Sequence, residues 1–309
     1  MSMVAIVMTT YNGEKYVGEQ IESILSSTYQ DFELFIYDDG SKDDTMSILR
    51  MYESKEPDKI HVFKNETNLG VTRNFLQAIC RTRACYVMTC DQDDVWKPNK
   101  IASTLKRLRQ MEVQTGKDVP LAVFTDAVVV DSDLNVTDSS FFQSGHLDPK
   151  KTELPRLLME NKLIGCTVMI NAALRKVLQG RRLPVNARFH DWWIALIAAS
   201  FGRIGYLNEG TLLYRQHSGN VVGNTGFLSY VMNRISSLEK QKEAICSLER
   251  QAEEFLAIYG DILADNNHAV IEQFSKLNNV NFIKRRFVIL HNGYLKTGLI
   301  RNIGLMFIV

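Results

Sequence analysis

The sequence predicts an α/β protein: a mostly parallel sheet with helices on both faces, followed by a C-terminal helical extension. Two observations carry this expectation. Short apolar runs alternate with stretches of helical periodicity through roughly the first 130 residues. Three polar clusters, Thr10-Tyr11-Asn12-Gly13, Asp38-Asp39-Gly40-Ser41 and Asp91-Gln92-Asp93-Asp94, each follow an apolar run. In an open α/β sheet ligands bind at the carboxyl ends of the strands, so the three clusters are expected to converge in space.

Each element follows from its own pattern. Val4 to Thr9 reads as a buried strand closed by a turn. Glu14 to Leu25 places Val17, Ile21, Ile24 and Leu25 on one helical face. Phe32 to Tyr37 is a second strand. Asp43 or Asp44 then caps a helix carrying Met46, Ile48, Leu49 and Tyr52. Ile60 to Phe63 is a third strand, Val71 to Cys80 a helix, and Cys85 to Cys90 a fourth strand. After Pro98 come a charged helix (Lys100 to Met111), a strand (Leu121 to Asp131) and a turn into Leu134 to Val136. Further on, Val168 to Ile170 is apolar and Trp192 to Phe201 is an apolar helix. Tyr206-Leu207 and Thr211 to Tyr214 read as the last two strands.

Length and charge narrow the function. A chain of 309 residues buries a sizeable core and suits an α/β domain with an appendage, divided here into 1–224 and 225–309. The formal net charge of +1 gives no electrostatic case for a nucleic-acid partner. Five cysteines without a CxxC pair point to a reducing compartment, with Cys85 and Cys90 read as buried thiols. Neither a signal peptide nor a transmembrane run is apparent, which predicts a cytoplasmic protein. The segment 282–309 has no Asp or Glu, yet holds Lys284, Arg285, Arg286, Lys296 and Arg301 among many apolar residues. That composition suits an interfacial helix at an anionic membrane. The alternatives are packing on the domain or a homodimer interface.

The polar clusters suggest specific chemistry. Asp91 and Asp93, two residues apart after a strand, offer hard oxygen ligands for Mg²⁺ or Mn²⁺, which would neutralise a diphosphate leaving group. The bland reading is a solvated acidic turn. Asp39 can accept from a base imide or ribose hydroxyls, although an Asx turn would also place it there. Tyr11 can stack on a base and Thr9 can bond a base or phosphate. Asn68-Leu69-Gly70 with Arg73 can present N–H groups and a guanidinium to a nucleotide, or simply start a helix. Asp191, opening the helix His190-Asp191-Trp192-Trp193, can be an N-cap or a general base beside an indole sugar platform. His217, after a strand, supplies a missing metal ligand or is structural.

The strings TTYNGEKY, IYDDGSKDDT, NLGVTRNF, CDQDDVW, HDWW and YRQHSGNVVG resemble the family 2 inverting glycosyltransferases of GT-A fold, most of all bacterial rhamnosyltransferases of cell-wall polysaccharide assembly. The resemblance spans about residues 3–224. It implies nucleotide contacts from Thr9, Tyr11, Asp39, Asn68, Arg73 and Asp91, a metal at Asp93 and His217, and Asp191 as base. Trp192, Cys166, Thr167 and Arg215 are assigned to the sugar and acceptor side. Many relatives carry a Glu-Asp pair at the base; here His190 precedes it. The expected donor is dTDP-β-L-rhamnose and the expected acceptor a lipid-linked saccharide, at the inner face of the cell membrane. UDP-glucose or UDP-galactose fits the same chemistry. A metal-dependent nucleotidyltransferase would want a Gly-rich, Lys-bearing phosphate loop that Thr9 to Gly13 does not provide, and a nonenzymatic sensor would need no base.

Overall fold

The computed structural model describes residues 3–217 and 238–309. Strands β1 (Val4–Thr10), β2 (Phe32–Asp38), β3 (Ile60–Lys64) and β4 (Tyr86–Cys90) alternate with helices α1 (Val17–Leu25), α2 (Thr45–Lys55) and α3 (Val71–Arg81). All of β1 is buried, as a central parallel strand covered on both faces must be. β1 pairs in parallel with β2 and β4, and β2 with β3, so the expected parallel half-sheet is present.

The second half is mixed. It comprises β5 (Val95–Trp96), α4 (Lys100–Thr115), β6 (Leu121–Val130), β7 (Val136–Asp138), α5 (Phe141–Ser144), α6 (Leu154–Met159), β8 (Met169–Asn171), α7 (Ala172–Gln179), α8 (His190–Phe201) and β9 (Arg203–Arg215). Among the described residues nine strands make one sheet, ordered β3-β2-β1-β4-β8-β6-β9-β5, with β7 on β6. β8 runs antiparallel between β4 and β6, and β9 runs parallel to β6.

Two expectations are corrected. Tyr206-Leu207 and Thr211 to Tyr214 belong to one strand, not two: β9 stays paired with β6 through register shifts around Asp126, which absorb the polar Asn208-Glu209-Gly210. Cys90 is buried but Cys85 is exposed, because the latter precedes the strand instead of entering it.

Residues 238–309 form α9 (Leu238–Tyr259), α10 (Asp265–Ser275), α11 (Phe282–Asn292) and α12 (Leu299–Ile308). The expected boundary at 224/225 lies outside the described residues. These helices share one continuous apolar core with the sheet. Phe255 of α9 packs edge-on against Trp193 of α8, ring centroids 5.2 Å apart. The Glu254 carboxylate accepts from the backbone N–H groups of Val185 and Asn186 and pairs with Arg182. α9 therefore braces the segment leading into α8.

Candidate active site

The register of the parallel strands sets the site. Thr10 lies opposite Asp38, and Met8 opposite Cys90, so β1, β2 and β4 end at one edge and release their polar clusters there. A cavity of about 1000 Å³ opens along that edge. Two groups of residues line it: Thr9, Tyr11, Asp39, Asn68, Asp91 and Asp93 from the first half of the chain, and Asn161, Lys162, Gly165, His190, Asp191 and Trp192 from the second.

Backbone and side-chain hydrogen bonds fix the first group. Gln92 grips the neighbouring turn, its Oε1 accepting from Tyr11 N at 2.9 Å and its Nε2 donating to Tyr11 O at 3.2 Å. A Cβ at position 13 would lie 2.2 Å from Gln92 Oε1, so a larger residue there would push the Gln92 side chain off this turn. Asp38 is structural: its Oδ1 accepts from Gly40 N and Ser41 N, both at 3.0 Å. The Asp39 carboxylate accepts from Leu69 N and Gly70 N, both at 2.8 Å, and from Asn65 Nδ2 at 2.9 Å. The N–H groups at 69 and 70 thus serve Asp39 and not a ligand, which corrects their expected role. The Asn68 side chain donates to Asp39 O. Arg73 is exposed on α3 and outside the cavity lining.

The acidic turn is crowded. Burial pushes the Asp91 carboxyl well above its usual range, reinforced by Asp94, Asp93 and Asp191. Burial and Asp93 push Asp94 up to about 7. Such mutual repulsion is what a divalent cation relieves. His217 Nε2 lies 2.8 Å from Asp93 Oδ2, and both side chains are partly open, at 19% and 16% exposure. A carboxylate and an imidazole together suit a hard or borderline divalent ion. Asp91, Asp94 and Cys166 also bring ligand-type atoms within 4.8 Å of one another. In that second cluster the thiol is a soft donor, ill matched to Mg²⁺ or Mn²⁺.

Three expected sugar contacts sit elsewhere. Cys166 and Thr167 are fully buried in the wall, and Gly165 lines the cavity in their place. Arg215 is also buried: its guanidinium pairs with Glu19, donates to the Asp93 and Ser132 carbonyl oxygens and stacks over Tyr16. It braces the acidic turn from behind.

Asp191 sits in the first turn of α8 as expected. Burial raises its carboxyl to about 7, opposed by hydrogen bonds from Trp192 N at 2.7 Å and Asn161 Nδ2 at 2.9 Å. His190, where a glutamate stands in many relatives, is held neutral by burial, at about 3, and its ring stacks on Phe75 with centroids 3.9 Å apart. Asn161 is a residue that sequence reasoning missed. It belongs to a clasp: buried Lys162 pairs with Glu160 and donates to Thr297 Oγ1. Glu160 in turn accepts from Thr297 N at 2.8 Å and pairs with Arg301 of α12 at 3.2 Å. No periodicity or motif marks residues 160–162 in the sequence.

Comparison with known proteins agrees with this geometry. Residues 5–153 match Glycosyl transferase family 2. Over 219 residues the chain is 33% identical to the putative glycosyltransferase EpsE of Bacillus subtilis, covering 70% of this chain and 73% of that one. It is 26% identical over 230 residues to the dTDP-rhamnosyl transferase RfbG of Shigella flexneri, covering 70% and 73%. Among solved structures, S. aureus TarS 1–349 in complex with UDP-GlcNAc superposes with a TM-score of 0.58 at 19% identity, covering 94% and 79%. The mannosyltransferase PcManGT of Pyrobaculum calidifontis, in complex with GDP-Man and Mn²⁺, gives 0.57 at 16% identity, covering 94% and 73%. The fold is therefore GT-A, and the chain belongs to glycosyl transferase family 2.

Proposed function

We propose that this glycosyltransferase moves L-rhamnose from dTDP-β-L-rhamnose to a hydroxyl of a lipid-linked saccharide, with inversion, in bacterial cell-wall or surface polysaccharide synthesis. The carrying observation is one cavity lined both by the acidic turn at Asp91 and Asp93 and by Asp191, whose buried carboxyl is raised to about 7. The choice of rhamnose is supported by the similarity to RfbG and by the motifs quoted above.

In this reading Thr9, Tyr11 and Asp39 hold the nucleoside, and exposed Lys42 and Lys64 at the rim attract the diphosphate. Asp93 and His217 would hold Mg²⁺ or Mn²⁺, which when bound stabilises the charge of the leaving diphosphate. Asp191 takes the proton from the acceptor hydroxyl. The acceptor oxygen bonds to the anomeric carbon as the bond to the phosphate oxygen breaks, and the nucleoside diphosphate leaves with that electron pair. A carboxyl at about 7 is suited to this role, since proton transfer is fastest when the base matches the working pH. Trp192, its indole Nε1 donating to Leu157 O, forms a fixed apolar wall for a sugar face.

The test is nucleotide diphosphate release from a panel of dTDP-, UDP- and GDP-sugars with a rhamnoside acceptor and Mg²⁺ or Mn²⁺. Acceptor-stimulated dTDP release from dTDP-rhamnose is expected. Release of UDP alone would keep the mechanism and replace the sugar. No release from any donor would overturn the proposal.

A further inference from the structure

Helices α11 and α12 each have two apolar stripes. The inner stripe, with Ile289, Leu305 and Ile308, is buried in the core. The outer stripe is not needed for packing. On α11 it carries Ile283, Phe287 and Leu290; on α12 it carries Ile300, Ile303 and Phe307. Each trio follows helical spacing, so each forms one face. Ile283 and Phe307 are 79% and 78% exposed, far beyond what scattered surface hydrophobics require. Arg286 ties the two helices together by donating to the Met306 carbonyl oxygen.

The helices that carry this face bring only positive charge: residues 282–309 contain five Lys or Arg and no Asp or Glu, of which Arg301 is paired with Glu160 and Lys284 is exposed between Ile283 and Phe287. Among the described residues no helix is long and apolar enough to cross a membrane. A large apolar face with a cationic rim and no spanning length fits insertion at the boundary between headgroups and acyl chains. A second copy fits less well. A two-fold contact would oppose the same acid-free segments, cation against cation.

We infer that the outer face of α11 and α12 docks on an anionic lipid bilayer. The docking stands on this surface alone; its use rests on the proposed function. Through Arg301 and Thr297, α12 and its approach are bonded to the Glu160–Lys162 loop, and Asn161 of that loop holds Asp191. The helix that meets the lipid is thus joined to the group that activates the acceptor, which suits a saccharide presented on a lipid.

The experiment is co-sedimentation of the full chain with phosphatidylcholine vesicles containing about 30% phosphatidylglycerol. The chain is expected to sediment and to be released as salt rises. Combined Ile283→Ser, Phe287→Ser and Phe307→Ser is expected to weaken partitioning at least about tenfold. Lys284→Ala is expected to weaken it about fivefold at low salt. All four side chains are exposed, so unchanged melting curves are expected to exclude misfolding. No sedimentation of the wild type, or equal sedimentation of the triple variant, overturns the inference. A dimer in light scattering that the triple variant dissolves, without vesicle binding, also overturns it and assigns the face to a second copy. Transfer to a soluble acceptor should be unchanged in the triple variant. Failure of wild-type transfer would count against the proposed function while leaving the vesicle result intact.

Discussion

Asn161 Nδ2 donates to Asp191 Oδ2 at 2.9 Å, and Trp192 N donates to Asp191 Oδ1 at 2.7 Å, so each oxygen of the buried carboxylate accepts one hydrogen bond. Burial raises the group and these two bonds lower it, with a balance at about 7. Rate should therefore rise with pH through an acid limb near 7. Asn161→Ala removes a bond to the charged form and should move that limb up by about one unit. A pH profile of kcat/KM checks this; an unmoved limb would separate Asn161 from the base.

Asp191→Asn should lower kcat by about 10²–10⁴-fold with little change in donor binding. It should also stabilise the fold. The folded carboxyl, at about 7, lies above its unfolded value, so between about pH 4 and 7 the native state binds more protons than the unfolded chain. Stability contributed by the group is therefore lost as pH rises through that window, by at most roughly 4 kcal/mol. Thermal melts should show the variant ahead of wild type above about pH 8 and level with it near pH 4.

Gly165→Ala would set a Cβ 2.9 Å from His190 Cε1 and 3.8 Å from Asp191 Oδ2. The His190 ring, held between this wall and Phe75, must shift to accommodate it and press on the neighbouring Asp191. A displaced base should cost about 10- to 100-fold in kcat with a smaller effect on donor KM. Steady-state kinetics beside a melting curve would distinguish this from unfolding.

Asp93→Ala should abolish Mn²⁺ binding measured by electron paramagnetic resonance and lower turnover at least about 100-fold. His217→Ala should weaken binding less, because a carboxylate ligand remains. Chelation of the wild type should reproduce the Asp93→Ala loss, and readdition of Mn²⁺ should reverse it. Full activity after exhaustive chelation would remove the metal from the mechanism.

The parallel half of the fold was legible because buried strands and amphipathic helices differ in period, and because a parallel sheet gathers its strand ends at one edge. That brings Tyr11, Asp39, Asp91 and Asp93 together from the sequence pattern, and the cavity lining holds all four. What escaped depends on tertiary partners. Arg215 reads as a ligand group until Glu19, Asp93 and Ser132 enclose it. β5 has only two residues, too few for any pattern. Asn161 lies in irregular chain, and nothing local ties it to Asp191. The polar break at Asn208 to Gly210 reads as a turn, whereas pairing with β6 carries the strand across it.

The clasp between Glu160, Lys162, Thr297 and Arg301 ties α12 to the lining of the candidate active site. Cutting the protein before Thr297 would take Thr297 and Arg301 away and leave the Lys162 ammonium and the Glu160 carboxylate with each other beside the cavity. Shortened versions made for convenience in crystallisation or expression would then test an altered enzyme, and weak turnover in them would say little about the native one.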